Sequence, residues 1–314
     1  LHLSLRRQRQ MCIRDRRSID EQFGLAEGAE VTTEANPDSV TAEGLAELRA
    51  GGFTRISFGH QSSAAHVLKV LERTHTPGRT WEAVDAAQQA GFEQVNIDLI
   101  YGTPGESDDD LRRSLADVLA SGVDHVSAYS LIVEPGTRLA AQVQRGMVPM
   151  PDDDVAAARY EIIDDALAAA GMPWYEVSNW AKPGSECRHN LGYWRNHDWW
   201  GVGPGAHSHV AGLRWWNHKH PATWARALGT SDPAALRAGE ERVNAAAATL
   251  ETVMLGIRTR EGLALERLGN EARSAVPGLV AKGWLDENAI AEGRAVLTRE
   301  GRLVADAVVR ELTP

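Results

Sequence analysis

Residues 80–132 read TWEAVDAAQQAGFEQVNIDLIYGTPGESDDDLRRSLADVLASGVDHVSAYSLI, and this stretch decides the fold. The same order of features occurs in it twice: a helical segment ends at an Ala-Gly or Ser-Gly pair, and an apolar strand begins a few residues later. Glycine suits the left-handed residue that ends many helices. Helices that alternate with strands predict βα units, and therefore a parallel sheet.

The pattern continues on both sides of this stretch. The helix-ending glycines are Gly51, Gly91, Gly122 and Gly171, and their intervals of 40, 31 and 49 residues are typical of βα units. The predicted strands cover residues 30–37, 55–61, 94–102, 125–132 and 174–179. The predicted helices cover residues 41–50, 80–90, 108–120 and 153–169, with Thr80 and Ser107 as N-caps.

Polar residues gather where each predicted strand ends. They are Glu34, Asn36, His60, Gln61, Asp98, Tyr101, Tyr129, Ser130, Glu176, Ser178 and Asn179. Barrels of βα units carry their sites at this edge, with a contribution from several strands. A dinucleotide-binding sheet has G-x-G-x-x-G after its first strand, and neither that motif nor a P-loop occurs here. The pattern therefore favours an α/β barrel.

Residues 175–208 form a second unusual region. Seven of the ten tryptophans lie between Trp174 and Trp216, and six of the eleven histidines lie between His189 and His220. Trp180, Trp194, Trp199 and Trp200 suggest flat walls for a large planar ligand, and the imidazoles suggest a metal. A tryptophan-rich core with surface histidines explains the same composition.

The predicted domains follow these changes in composition. Residues 1–18 are rich in arginine and show no periodicity, so we expect a non-native or disordered segment. Residues 19–212 hold the α/β barrel with its His/Trp-rich extension. The character of the sequence changes after Gly212, and residues 243–314 read as helices with a short hairpin, so we predict a helical, winged-helix-like module over residues 213–314. That module has no basic stripe, so we expect it to have a packing or protein-contact role.

Charge and hydropathy exclude several classes of partner. The formal net charge of -10 argues against a nucleic-acid partner. No apolar run reaches the roughly 20 residues that span a bilayer, and no secretory signal is visible, so the cytoplasm is the expected location. The two cysteines, Cys12 and Cys187, cannot ligate an iron–sulfur cluster, which needs three or four thiolates.

Several motifs in a fixed order carry a family resemblance that runs from about residue 19 to the end. They are EVTTEANPDS, FTRISFGHQS, LERTHT, VNIDLIYGTPGE, SAYSLIVEPGT, YEVSNWAKPG, RHNLGYW and GVGPGAHS. Together they resemble the radical S-adenosylmethionine (SAM) proteins of the HemN/HemW group, and within it the HemW haem chaperones. The resemblance implies a partial (β/α) barrel and a winged-helix-like C-terminal module. The family's C-x3-C-x2-C cluster motif and a GGGTPS-like segment are missing, so we expect an N-terminally truncated chain without about two βα units. A [4Fe–4S] cluster is then expected only in the full-length parent.

The resemblance also implies the ligand residues. Glu34, Gln61, Arg73 and Asp98 stand at the family's SAM-contacting positions, and they keep the expected residue types. Carboxylates accept hydrogen bonds from a ribose diol or an ammonium, and an arginine pairs with a carboxylate. The alternative is structural: an internal ion pair, such as Arg73 with Asp98, that holds the barrel rim together.

His189, Tyr193 and Trp194 belong to HNLGYW, which matches the H-N-x-x-Y-W motif associated with haem binding in the haem chaperones. His189 is the expected axial ligand of the haem iron, and the two aromatic side chains are expected to stack on or border the porphyrin. Cys187 and His207 are weaker candidates. The alternative is that His189 donates to a backbone carbonyl and Trp194 fills the core.

Two functions follow from the resemblance. The first is a haem chaperone that binds haem and SAM and delivers haem to acceptor proteins. The second is an oxygen-independent coproporphyrinogen III oxidase, which shares the barrel. A third hypothesis, a zinc hydrolase, would use His207, His209, His218 and His220. The haem acceptor and the oligomeric state stay open.

Overall fold

The structure, a computed structural model, describes residues 2–73, 76, 78–230 and 232–313, and residues 2–7 by their backbone alone. It contains two compact units, one ending at Glu186 and the other beginning at Cys187. The sequence predicted the division after residue 212. The position differs because one antiparallel sheet takes strands from both sides of Gly212 and so ties the His/Trp-rich stretch to the second unit.

The first unit follows the alternation of strands and helices that the sequence predicts. Its elements are α1 (His2–Phe23), β1 (Thr32–Ala35), α2 (Ala42–Ala50), β2 (Arg55–Gln61), α3 (Ala65–Val70), α4 (Arg79–Gln89), β3 (Gln94–Tyr101), α5 (Asp108–Ala120), β4 (His125–Ser130), α6 (Arg138–Gln144), α7 (Asp153–Ala169), β5 (Trp174–Glu176) and β6 (Asn179–Ala181). The strand order is β1-β2-β3-β4-β6-β5, and β1 to β4 pair in parallel.

The last strand predicted for this sheet, residues 174–179, is wrong as a single strand. The chain turns back there, and β6 lies antiparallel to both β4 and β5. The Glu176 carboxylate closes the turn because it accepts a hydrogen bond from the backbone N–H of Ser178 at 3.0 Å and another from the Asn179 side chain. The sheet is therefore mixed, with an antiparallel hairpin after four parallel strands.

The two faces of the parallel strands differ in polarity. On β2, Ile56 and Phe58 are buried in the apolar core, whereas Arg55 and Ser57 are buried on the opposite face. The core lies between the strands and helices α2, α4, α5 and α7. Successive strand residues point to opposite sides of a sheet, so alternate residues form a polar face that is free to build a site.

Helix α5 begins at a capping box. The Ser107 hydroxyl accepts a hydrogen bond from the backbone N–H of Asp110, and the Asp110 carboxylate accepts one from the backbone N–H of Ser107. The predicted N-cap Ser107 is therefore confirmed. Thr80 is not an N-cap, because α4 begins at Arg79 with Gly78 as its cap. Gly78 has a positive φ of 81°, a conformation that glycine adopts without strain.

Replacing Ser107 by alanine is expected to lower the free energy of unfolding by about 1 kcal/mol, because the helix loses its side-chain cap. Urea unfolding followed by circular dichroism measures the change. Ser107→Thr keeps a hydroxyl at the same position and should stay close to the unsubstituted chain. Equal stabilities of the alanine and threonine variants would contradict the role of the cap.

Residues 2–18 differ from the disorder expected for residues 1–18, and Leu1 lies outside the described residues. The backbone of His2–Phe23 is helical, and Cys12 and Ile13 pack against the apolar core. Arg9 also donates to the Glu47 carboxylate of α2 at 2.8 Å. The packing of Cys12 and Ile13 shows that the helix has one apolar side, which is hard to recognise among its many arginines. A non-native origin of residues 1–18 stays a prediction.

The second unit joins a small sheet to a helical core. Its elements are α8 (Arg188–Trp194), β7 (His207–Val210), β8 (Leu213–Asn217), α9 (Pro221–Leu228), β9 (Arg237–Arg242), α10 (Ala245–Gly256), β10 (Leu263–Ala264), α11 (Asn270–Ala281), α12 (Glu287–Ala291), β11 (Arg294–Ala295), α13 (Arg299–Leu303) and α14 (Ala305–Leu312). Strands β7, β8 and β9 form an antiparallel sheet, and β10 pairs with β11. A separate apolar core gathers side chains from α10, α11 and α14. A winged-helix-like arrangement stays a prediction. Within the described residues, no helix is both long and apolar enough to cross a membrane.

Candidate functional site

A cavity of about 390 Å³ opens at the carboxyl ends of the parallel strands. Its lining consists of Glu34, Gln61, Asp98, Ile100, Tyr129, Ser130, Leu131 and Ile132. Three of the four residues predicted to contact SAM therefore meet at one place, contributed by β1, β2 and β3. The volume lies within the range of small-molecule sites in proteins.

Gln61 reaches this cavity through an unusual backbone. Its φ of 69° is positive, and the pairing of β2 with β3 changes register between Gly59 and Gln61. The Gln61 amide lies over Gly59, only 2.8 Å from where a Cβ atom would stand. A residue other than glycine rarely adopts this φ, and such strained residues are frequent at functional sites.

Asp98 is the most constrained group of the cavity. Its Oδ1 accepts a hydrogen bond from the Asn96 amide at 2.8 Å, and its Oδ2 accepts one from the Ser57 hydroxyl at 2.8 Å. Burial raises the pKa of Asp98 above its ordinary value, and the charge of Glu34 adds to this rise. The hydrogen bonds from Ser57, Ser127 and Asn96 act in the opposite direction. Asp98 therefore lines the cavity as a half-buried group, and each of its carboxylate oxygens accepts a hydrogen bond.

Arg73, predicted to contact SAM, and His60 and Tyr101, predicted at the strand ends, lie outside this cavity, and Tyr101 is buried in the apolar core. Arg73 follows α3, is exposed and does not belong to the cavity lining. His60 is buried on the helix side of the sheet, where its Nδ1 is 2.9 Å from the Thr80 hydroxyl and its ring is 4.7 Å from that of Trp81. His60 differs from the prediction because it shares the strand face of Ile56 and Phe58.

A buried polar network behind Asp98 was missed at the sequence level. His125 on β4 lies between the Asn96 amide and the Tyr175 hydroxyl, at 2.5 Å and 2.8 Å respectively. The sequence contains a signal for it: Asn96 and Asp98 in VNIDLIY, and His125, Ser127 and Tyr129 in HVSAYS, are polar residues two positions apart in largely apolar strands. Strands buried on both faces are usually continuously apolar, so this alternation marks a polar face.

Because the His125 imidazole is buried, we predict that acid lowers the stability of the first unit. Burial lowers the pKa of His125 to about 3, with a further contribution from the Arg55 charge, against an ordinary value of 6.5. The folded state therefore binds fewer protons than the unfolded state between these two values. The stability that neutral His125 contributes is fully present above about pH 6.5, and it is lost progressively as the pH falls towards 3.

Comparison with a His125→Asn variant, which cannot titrate there, isolates this effect. The free energy of unfolding of the unsubstituted chain, relative to that of the variant, should fall by about 2–3 kcal/mol from about pH 7 to about pH 4.5. Urea titrations at the two pH values measure it. A difference that stays constant across this range would show that His125 is not held neutral.

The second unit carries the HNLGYW run on α8. His189 and Tyr193 lie one turn apart on α8, both are exposed, and their rings meet edge to face with centroids 4.9 Å apart. The Tyr193 ring in turn meets the Trp199 ring at 5.3 Å. An exposed imidazole beside aromatic rings in edge-to-face contact offers an iron ligand next to apolar ring surface, which is the chemistry that ligation of a planar metal complex requires.

Trp194 and Trp180 do not join this surface. Trp194 comes five residues after His189, which places it about 140° around the helix. It lines a different pocket of about 180 Å³, together with Thr252 and Leu263. Trp180 belongs to the core of the first unit, where its indole N–H donates to Asp164 at 2.9 Å. The predicted planar wall therefore reduces to Tyr193, Trp199 and their neighbours.

No three His, Cys, Asp or Glu side chains gather to hold a metal ion in the part of the chain that the structure describes. His207 instead stacks on Trp216 at 6.0 Å, and His209 is buried beside Trp199. Cys12 and Cys187 belong to different units. The residues present therefore do not fit a [4Fe–4S] cluster, which needs at least three thiolates.

Comparison with known proteins agrees with this architecture. The radical SAM superfamily model matches residues 4–118. The chain is 54% identical to the heme chaperone HemW of Mycobacterium tuberculosis over 295 residues, which is 94% of this chain and 74% of that protein. It is 33% identical to the heme chaperone HemW of Bacillus subtilis over 290 residues, 89% of this chain and 75% of that protein.

A solved structure has the same fold. The radical SAM enzyme coproporphyrinogen III oxidase (HemN) of Escherichia coli matches with a TM-score of 0.78, over 97% of this chain and 74% of that one. Its sequence identity is 20%, so this likeness concerns the fold alone. From the length and identity of the match to the mycobacterial protein, we conclude that the chain belongs to the HemW family of radical SAM proteins.

Proposed function

We propose that this chain acts as a haem chaperone, which binds haem on its second unit, binds SAM in the cavity of its first unit, and passes haem to acceptor proteins. The single observation that carries the proposal is the exposed pair of His189 and Tyr193 on α8, within the HNLGYW run. The names of the mycobacterial and Bacillus relatives support it. That the transfer takes place in the cytoplasm stays a prediction.

The cavity of the first unit suits the polar parts of SAM. Glu34 and Asp98 offer carboxylate oxygens to a ribose diol or an ammonium group, and Gln61 offers both an acceptor and a donor. Arg73 remains a proposed partner of the SAM carboxylate, although it lies outside the cavity lining. The family's cluster would supply reductive cleavage of SAM when bound. Since the two cysteines of this chain do not fit it, we propose SAM binding only.

The oxidase alternative has less support. Coproporphyrinogen III oxidase shares the fold at 20% identity, and a fold at that level does not carry an activity. A chaperone should recognise the iron, whereas an oxidase should recognise the propionates of its porphyrin substrate. The two functions therefore predict opposite ligand preferences.

Titration of the purified chain with haem and with metal-free coproporphyrin III distinguishes them. The chaperone proposal predicts saturable binding of one haem per chain, a shifted Soret band, and weaker binding of coproporphyrin III. A preference for coproporphyrin III would favour the oxidase. Haem binding that does not saturate, or that persists unchanged in the urea-unfolded chain, would contradict the chaperone proposal.

A further inference from the structure

The direction of the hydrogen bonds around His125 follows from the Asp98 end of the network. The Asp98 carboxylate is an acceptor, so the Asn96 group that faces it must be the NH₂. The Asn96 Nδ2 indeed lies 2.8 Å from Asp98 Oδ1, 2.6 Å from Ser57 Oγ and 3.1 Å from Ser127 Oγ. The Asn96 oxygen is thereby turned towards His125.

The same oxygen fixes the tautomer of His125. An amide oxygen only accepts, so the His125 Nδ1 at 2.5 Å must carry the hydrogen. Because burial keeps the pKa of His125 far below neutrality, the ring is neutral and Nε2 is an acceptor. The Tyr175 hydroxyl at 2.8 Å then donates to Nε2. Tyr175, His125, Asn96 and Asp98 thus form a row of hydrogen bonds in which every donor points towards Asp98.

We propose that His125 is a positioning residue: with Tyr175 behind it and Asn96 in front, it fixes Asp98 as a hydrogen-bond acceptor, so that the cavity selects a ligand group that donates, a hydroxyl pair or an ammonium. The inference rests on the proposed binding of SAM, which carries both groups. The inference extends the proposed SAM site to His125, Asn96 and Tyr175, which do not line the cavity and would act on the ligand through Asp98.

The surroundings of the row support a role beyond packing. His125, Asn96 and Ser57 are all buried, and burying a polar side chain is costly unless it is hydrogen-bonded. The charged and titratable groups that influence these residues are Glu34 near Asp98, Tyr129 near Asp98 and Glu176, and Arg55 near His125. A free amide at position 96 could present either its oxygen or its NH₂ to Asp98. Only the NH₂ leaves the carboxylate as an acceptor for a ligand.

Two substitutions of similar size separate hydrogen bonding from packing. His125→Asn keeps an N–H at a place equivalent to Nδ1, whereas His125→Leu fills the space without a donor. Calorimetric titration with SAM should find the asparagine variant within about threefold of the unsubstituted chain and the leucine variant weaker by about tenfold or more. Unchanged affinity of His125→Leu, or equal losses in two variants of equal stability, would overturn the proposal.

A second ligand identifies which donor Asp98 accepts from. 5′-Methylthioadenosine keeps the ribose diol of SAM but has no ammonium. A loss for both ligands in His125→Leu assigns the diol to Asp98, and a loss for SAM alone assigns the ammonium. Both results support the positioning role, and they differ only in the ligand group.

Nuclear magnetic resonance of isotope-labelled histidine in the unsubstituted chain tests the row without any ligand. The expected His125 signal is a neutral ring with hydrogen on Nδ1 that does not titrate near neutral pH. A hydrogen on Nε2, or titration near pH 6.5, would overturn the inference even if SAM binds. If the unsubstituted chain does not bind SAM but shows the expected tautomer, the proposed SAM function fails while the hydrogen-bond row stands.

Discussion

A His189→Ala variant is expected to bind haem on the order of tenfold or more weakly than the unsubstituted chain, and to lose the Soret band of an imidazole-ligated iron. The imidazole is exposed on α8, and its ring edge is already oriented by Tyr193. Alanine preserves the helix, since it has the highest helix propensity. The loss therefore reports the missing ligand rather than a changed fold. Titration with haem followed by absorbance measures both the affinity and the band.

His220→Ala is the matched control for this experiment. His220 is an exposed histidine of the same unit, and its side chain makes no capping hydrogen bond at α9. Its removal should leave the haem affinity and the Soret band unchanged. If His189→Ala behaves like His220→Ala, His189 is not the iron ligand, and the observation on which the proposed function depends is lost.

A Trp180→Ala variant is expected to lose about 3–5 kcal/mol of stability or to fail to fold. Trp180 is completely buried, and its indole lies 5.5 Å from the Tyr160 ring in the core of the first unit. The substitution opens a cavity and also leaves the buried Asp164 without its indole donor. A loss of this size is a large part of the 5–15 kcal/mol that stabilises a typical domain. Urea unfolding followed by far-ultraviolet circular dichroism measures it.

Two further variants divide this effect into its causes. Trp180→Phe keeps most of the packing and removes only the indole donor, so it should lose about 1–3 kcal/mol. Trp200→Ala removes an exposed indole that is 70% accessible to solvent, and it should change stability by less than about 1 kcal/mol. Equal losses for Trp180→Ala and Trp200→Ala would show that Trp180 is not a core residue.

The periodic parts of the chain could be predicted from the sequence. Strand β2 and helices α5 and α7 have the predicted bounds, because their apolar spacing and their flanking glycines and caps agree with one another. Family motifs correctly brought Glu34, Gln61 and Asp98 to one strand edge. These are positions where local pattern and global fold impose the same requirement.

The remaining differences arise from tertiary contacts that a linear pattern does not contain. The β5–β6 turn depends on the Glu176 carboxylate, which satisfies the turn's donors. Trp180 was grouped with the other tryptophans by proximity in sequence, yet strand β6 carries it into the first core. Trp194 was assigned to the haem surface with Tyr193, although one residue on a helix changes the direction of a side chain by about 100°. The clustering of tryptophans in the sequence therefore predicts one shared surface, whereas the geometry of α8 directs Trp194 and Tyr193 to different sides of the helix.

The crystal structure of the chain in complex with haem is the most direct test of the proposed function. We predict an iron atom bonded to a ring nitrogen of His189, with the Tyr193 ring against the porphyrin. An iron atom held by a different side chain, with His189 turned away from it, would contradict the account.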